Sequence, residues 1–228
     1  EAAVHRSKQS VSEIKRQQEL FNEGSGTELQ SKFTKPLFTR PRFMQEKALT
    51  PAERGTAMHM VMQHIDLSRP INDLSLQSLL EQMVEKELLS TEQMEVIDRE
   101  AIVEFFQSEL GCRLLASKNV RREIPFSVSL QAKEVYADWN SSQDEQVLVQ
   151  GIIDCLFEDE CGLVLLDYKT DTITDRFKEG FEKAKPTLQD RYQVQIQLYA
   201  KAVEQILKKP IAEKYLFFFD GGHLLNMD

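Results

Sequence analysis

The stretch GIIDCLFEDECGLVLLDYKTD, Gly151 to Asp171, constrains this chain more than any other. Two runs of Ile, Leu, Val and Phe flank a short acidic turn, the pattern of two buried strands in a hairpin. Each run carries one aspartate, Asp154 and Asp167, where an ionised carboxylate is costly to bury. A turn centred between Glu160 and Cys161 puts Asp154 directly across from Asp167, with Cβ atoms about 4.5–5.5 Å apart. Lys169 falls two residues beyond Asp167 and so on the same face. Opposed carboxylates destabilise a sheet by up to about 1 kcal/mol, a cost that a hard divalent cation with oxygen ligands removes. Such a cation polarises a phosphate and helps make hydroxide from water. Lys169 would then orient that water or shield the developing charge. The spacing alone leaves open a blander reading, two exposed strand acids with a surface ion pair.

The rest of the chain supplies a frame for the hairpin. Residues 1–31 are polar, with a helical patch near Val11–Phe21 and a Gly/Ser break at NEGSGTE. KFTKPLFTRPRF (32–43) is basic, aromatic and twice interrupted by proline, so extended; it is a packed linker or a nucleic-acid contact. TPAERGTAMHMVMQHI opens with Thr50 as N-cap, Pro51 at the first helical position and Glu53 closing a capping box. That predicts a helix over 51–65. Two more amphipathic helices follow, over 73–89 and 90–110, the second boxed by Ser90 and Gln93 and ended at Gly111. Strands are expected in VRREIPFSVSL, QVLVQGIIDCLFED and GLVLLDYKT, with WNSSQDEQ as a polar loop. A long helical stretch broken at Pro186 and a last strand, EKYLFFFD, complete the order. This is an α/β arrangement with a mixed sheet and a helical cap before it. We divide it into an arm or linker, 1–48, and a domain, 49–228.

Composition narrows the function classes. No apolar run reaches the length of a membrane span, no signal-peptide pattern opens the chain and no GxxxxGK[ST] phosphate loop is present. Three cysteines, Cys112, Cys155 and Cys161, cannot supply a four-cysteine zinc or iron–sulfur site. They fit a reducing cytoplasm. The net charge of −9 is unevenly spread: residues 1–50 hold nine Lys/Arg against six Asp/Glu, and residues 51–228 nineteen against thirty-one. An acidic body can still act on a polyanion if a divalent metal offsets the local charge.

G-I-I-D followed by D-Y-K-T-D resembles the active-site hairpin of the PD-(D/E)XK nuclease superfamily, in its RecB-like branch. GTAMHMVMQH resembles the G-T-x-x-H helix of that branch, and QIQLY its Q-x-x-x-Y motif. REIPF resembles the glutamate-bearing strand before the hairpin. The resemblance implies a restriction-endonuclease-like core with a mixed central sheet, flanking helices and a helical N-terminal cap. It implies His59 as a metal ligand, with His64 a nearby competitor. By the same resemblance Asp154, Asp167 and the carbonyl of Tyr168 would share the cation. Lys169 assists the water, Glu123 lies at the site edge, and Gln195 and Tyr199 support the site. The implied cofactor is Mg²⁺, with Mn²⁺ possible and no iron–sulfur cluster, which separates the chain from the AddB kind.

The likeness is closer to the C-terminal nuclease domain of the AddA helicase–nuclease family. That implies DNA hydrolysis on the 3′-terminated single strand emerging from an attached helicase, in double-strand break repair by homologous recombination. A cytoplasmic location and an AddB-like partner subunit go with it. Two other functions compete: a catalytically silent DNA-guiding or assembly module, and a free-standing RecB-like exonuclease.

Overall fold

The hairpin register expected from the sequence is the observed one. In the computed structural model, which describes residues 6–22, 49–136, 139, 144–174 and 176–228, β3 (Gln146–Asp159) and β4 (Gly162–Lys169) pair antiparallel from Asp159↔Gly162 to Cys155↔Leu166. The ladder stops one pair short of the two aspartates. β2 (Asn119–Gln131) runs antiparallel along the other edge of β3. β5 (Ile211–Phe218) lies parallel to β4, and β6 (His223–Asn226) turns back on β5. The expected mixed sheet is therefore present.

Two strands carry no strong sequence signal. β1 (Lys8–Ser10) pairs parallel with Leu148–Gln150 of β3, and α1 (Val11–Asn22) follows it and packs on the long C-terminal helix. Part of the segment read as an arm thus adds a strand and a helix to the sheet layer. β6 follows Gly221 and Gly222, both at positive φ, which make the tight turn. KFTKPLFTRPRF, the Gly/Ser break and residues 140–143 of WNSSQDEQ lie outside the described residues.

The helices start where side chains can cap them. Thr50 and Glu53 form the capping box of α2 (Pro51–His64). Asn72 caps α3 (Asp73–Glu85). The single helix expected over 90–110 is instead three: α4 (Thr91–Glu95), α5 (Arg99–Gln107) and α6 (Glu109–Ala116). Asp98 and Ser108 explain the breaks, because each accepts a hydrogen bond from the backbone of the next helix, at Ala101 and Gly111. Gly111 is accordingly inside α6 rather than ending a helix. After the short α7 (Ala132–Val135), α8 runs unbroken from Phe181 to Leu207 through Pro186. The proline costs one hydrogen bond in the second turn, and the buried Ala184 and Leu188 on either side hold the helix to the sheet.

Two hydrophobic cores lie on the two faces of the sheet. One joins α1 and α8 to the sheet through Ile14, Leu188, Tyr192 and Ile196 against Val149, Ile153, Leu165 and Phe218. The other joins the helical cap to it through Val61, Leu80, Ile102 and Phe105 against Cys155, Phe157, Leu166 and Phe217. Val149 and Ile153 face the α8 core, whereas Cys155 and Phe157, at the same alternation, face the cap. The strand therefore changes sides at Asp154. The partner strand does the same, with Arg122↔Cys155 and Ile124↔Ile153 paired and only Glu123 with Asp154 missing between them. Glu123 has a left-handed backbone, φ 49°.

Candidate metal and active site

The interruption at Asp154 is what makes a site in this sheet. Along one edge of β3, β1 ends its pairing at Gln150 and β4 begins its own at Cys155. Asp154 sits at the fork, and its Oδ2 accepts a 2.7 Å hydrogen bond from the backbone N–H of Tyr168. A side-chain carboxylate thus replaces the ladder bond that the splaying strands give up, which fixes it in place. A non-glycine residue at positive φ costs about 1–3 kcal/mol. Such a cost at Glu123, directly beside Asp154, persists only where the surrounding packing imposes it.

α2 brings His59 to the same point. His59 Nδ1 lies 3.4 Å from Asp154 Oδ1 and 3.7 Å from Glu123 Oε1. Donor atoms of His59, Glu123 and Asp154 all lie within 4.8 Å of one another. His64, the competitor, points elsewhere: its Nδ1 sits 2.8 Å from the Met60 carbonyl and it is exposed. Two features hold α2 in position. Gly55 packs so closely on the end of β4 that a Cβ there would lie 3.0 Å from Thr170 Oγ1, which explains the glycine of G-T-x-x-H. Arg122 donates to the carbonyls of Met62 (2.8 Å) and Ile65 (2.7 Å) at the far end of the helix. Sequence reasoning passed over Arg122, although a cation serving the last carbonyls of a helix is a known device.

Asp167 belongs to a second, adjoining group on the α8 side. It is 2% exposed. Its carboxylate forms an ion pair with Lys169 Nζ and accepts a 3.3 Å hydrogen bond from Gln195 Nε2. The Lys169 ammonium lies against Oδ2, and among the described residues no other group donates to that oxygen. Lys169 Nζ donates to Gln195 Oε1 at 3.1 Å, and Gln195 Nε2 also reaches Tyr199 OH at 3.2 Å. Gln195 and Tyr199 are one helical turn apart on α8 and both buried. Gly151 leaves room for Tyr199, because a Cβ there would lie 3.1 Å from its ring and 2.7 Å from that of Phe126. Tyr168 contributes its N–H to Asp154, while its ring is buried against Phe105 and Phe219 in the cap core.

The two aspartates do not simply repel each other, as the opposed-pair expectation has it. Each has a cation of its own. Burial works against ionised Asp154, but His59, with Lys169 and the Tyr168 N–H, holds the carboxyl below its usual range. Burial likewise opposes a charged His59, yet Asp154 above all, with Glu123 and Asp167, raises it to about 10. Asp167 is different: burial pushes it up to about 6, against the pull of Lys169 and with the push of Asp154. Burial, then the charge of Asp167, also keep Tyr199 a neutral phenol.

His59, Glu123 and Asp154 offer one nitrogen and carboxylate oxygens, a donor set that suits Mg²⁺ or Mn²⁺ and is too hard for a thiophilic metal. Asp167 is outside that cluster of near-neighbour donors but joins it through Asp154. Asp167 Oδ2 already faces a cation, the Lys169 ammonium, and the buried carboxylate is linked to the His59–Glu123–Asp154 cluster through its charge interaction with Asp154.

Comparison with known proteins agrees with this geometry. A family model described as the PD-(D/E)XK nuclease superfamily matches residues 33–224. The whole chain is 54% identical to part of the ATP-dependent helicase/nuclease, in its A-type subunit, of Bacillus mycoides strain KBAB4. It is 53% identical to the same protein of Bacillus cereus strain ATCC 14579 and of Bacillus thuringiensis subsp. konkukian strain 97-27. In each case the chain spans 18% of the relative's length. With the hairpin, the histidine helix and the Q-x-x-x-Y turn converging on one fork in the sheet, the chain belongs to the PD-(D/E)XK nuclease superfamily.

Proposed function

We propose that this chain is the Mg²⁺-dependent DNA-cutting domain of an AddA-type helicase–nuclease. The observation that carries the reading is the His59–Glu123–Asp154 cluster set against the Asp167–Lys169 pair at the splayed end of one hairpin. His59, Glu123, Asp154 and Asp167, with the carbonyl of Tyr168, are the residues that would hold the metal. When bound, a divalent ion there supplies Lewis-acid polarisation of the phosphate and lowers the pKa of a water. The residues of the chain do the rest. Lys169, ion-paired and held by Gln195, presents its ammonium where negative charge develops on the phosphate and where a water needs orienting. Gln195 and Tyr199 fix Lys169 and Asp167 in one arrangement, so that little reorganisation accompanies reaction. The products are a 5′-phosphate and a 3′-hydroxyl.

The same reading takes the substrate to be the 3′-terminated strand fed from an attached helicase. It takes the partner to be an AddB-like subunit, and the setting to be homologous recombination in the cytoplasm. The helicase/nuclease names of the relatives support this wider assignment. Among the described residues no helix is long and apolar enough to cross a membrane.

The test is cleavage of end-labelled single-stranded DNA with Mg²⁺ or Mn²⁺. Wild type cuts and stops with chelator, while Asp154→Ala and Lys169→Met bind DNA but do not cut. Wild-type rates in either variant would sink the assignment of this hairpin as the active site.

A further inference from the structure

Tyr192 takes no part in the motifs that carry the family, yet it sits directly beside Lys169. It is 1% exposed, in α8 one turn before Gln195 and two before Tyr199. The Lys169 ammonium lies over its ring, 4.6 Å from the centroid. Its hydroxyl donates a 2.6 Å hydrogen bond to Asp171 Oδ2, two residues beyond that lysine. Asp171 is in turn ion-paired to Arg191 at 3.2 Å. The loop that carries Asp171 is pinned by Asp220, which accepts from the backbone of Ile173 and Thr174. A second cation, Lys15 of α1, lies 3.7 Å from the same ring's centroid.

A lysine side chain has four rotatable bonds and a compact, strongly hydrated head, so holding it at one spot needs several partners. Asp167 and Gln195 supply two. Both are members of the reacting group itself. An aromatic face within about 6 Å attracts a cation from a third direction. The Tyr192 ring is edge-packed on Phe218, 5.9 Å between centroids, and tethered through its hydroxyl, so it cannot follow the lysine. It is a fixed wall that the flexible cation rests on.

We infer that Tyr192, tethered by Asp171, is a positioning residue for Lys169, keeping the ammonium at the Asp167 side of the site through its ring rather than through its hydroxyl. This rests on the proposed nuclease reading, and it predicts an ordering of variants that a merely structural tyrosine would not give. Tyr192→Phe keeps the ring and its effect on Lys169. Tyr192→Leu keeps an apolar core residue and loses that effect.

The experiment uses two readouts. In metal-free protein with ¹³C-labelled lysine, the Lys169 ε-methylene, assigned with Lys169→Met, is displaced upfield by the ring in wild type and in Tyr192→Phe. It returns to the ordinary lysine position in Tyr192→Leu. Lys15→Met removes its own resonance and leaves that of Lys169 in place. With Mg²⁺, Tyr192→Leu lowers kcat for single-stranded DNA by about tenfold, the scale of a desolvated cation–π contact, with KM little changed. Tyr192→Phe retains most of the rate.

An undisplaced Lys169 resonance in wild type, or a displaced one that survives Tyr192→Leu, overturns the proposal. So does a loss of rate in Tyr192→Phe equal to that in Tyr192→Leu. If thermal melting shows that Tyr192→Leu does not fold, Asp171→Ala releases the ring without opening the core. The Lys169 resonance should then broaden and move towards the ordinary position, and no movement overturns the inference. Failure of the nuclease reading looks different: Lys169→Met would cut as wild type while the metal-free ring displacement persisted.

Discussion

Replacing Asp167 by asparagine should make the metal-free domain more stable at neutral pH. Burial raises the Asp167 carboxyl to about 6, from an ordinary value of about 3.9. The folded state therefore binds a proton more readily than the unfolded chain. By linkage, stability falls as pH rises between those two values and stays low above them. A rise of that size corresponds to at most about 3 kcal/mol, at about 1.4 kcal/mol for each tenfold change in proton affinity. Part of this is returned, because the charge of Asp167 also helps to raise His59. Asp167→Asn removes the titration and keeps the shape and the Gln195 contact. Urea denaturation in chelator should show the variant more stable by about 1–3 kcal/mol at pH 7.5. The difference should shrink through about pH 6–4 and vanish near pH 3, where the wild-type carboxyl is protonated in both states. Mg²⁺ should then stabilise the wild type and narrow the gap. A variant less stable than wild type at pH 7.5, or a difference independent of pH, would show that Asp167 holds the fold rather than straining it.

Two further outcomes follow from the same geometry. His59 is held protonated in the metal-free protein, with its value near 10; its contribution to folding is full below about 6.5 and is lost as pH rises through 10. Because a metal takes only the neutral imidazole, Mn²⁺ binding at pH 8 should release about one proton, read by calorimetry in buffers of different ionisation enthalpy. His59→Gln should abolish that release. Arg122→Ala, which frees the Met62 and Ile65 carbonyls at the end of α2, should cost about 1–3 kcal/mol of stability and weaken Mn²⁺ affinity by moving His59, both measured on the same protein.

What could be read from the sequence was whatever is local. The hairpin declared itself because its alternation and its turn fix one register. Thr50–Glu53 and Ser90–Gln93 declared helix starts because both partners of each capping box are three residues apart. The breaks at Asp98 and Ser108 were equally local and were hidden by the apolar periodicity running across them. β1 could not be seen, since Lys8–Ser10 is a strand only because the edge of β3 offers it pairing. Pro186 argued for a break that packing on the sheet overrides.

At the site, spacing named Asp154, Asp167 and Lys169, the family resemblance added His59, Gln195 and Tyr199, and the structure brings them to adjoining positions. The left-handed backbone of Glu123 had no signal, because glutamate has no preference for that conformation. Tyr192 and Asp171 had none either, as their link to Lys169 exists only once α8 lies across the end of β4.

The proposed mechanism requires one divalent cation bound between His59, Glu123 and Asp154, beside Asp167, whenever the chain cuts DNA. Crystals of the chain soaked in Mn²⁺ and measured at the manganese edge test that requirement. One strong anomalous peak is expected within coordination distance of those three side chains, lost in Asp154→Ala crystals that retain the fold. No peak there at saturating Mn²⁺, or one that survives the substitution unchanged, would mean that the fork in the hairpin does not hold the metal.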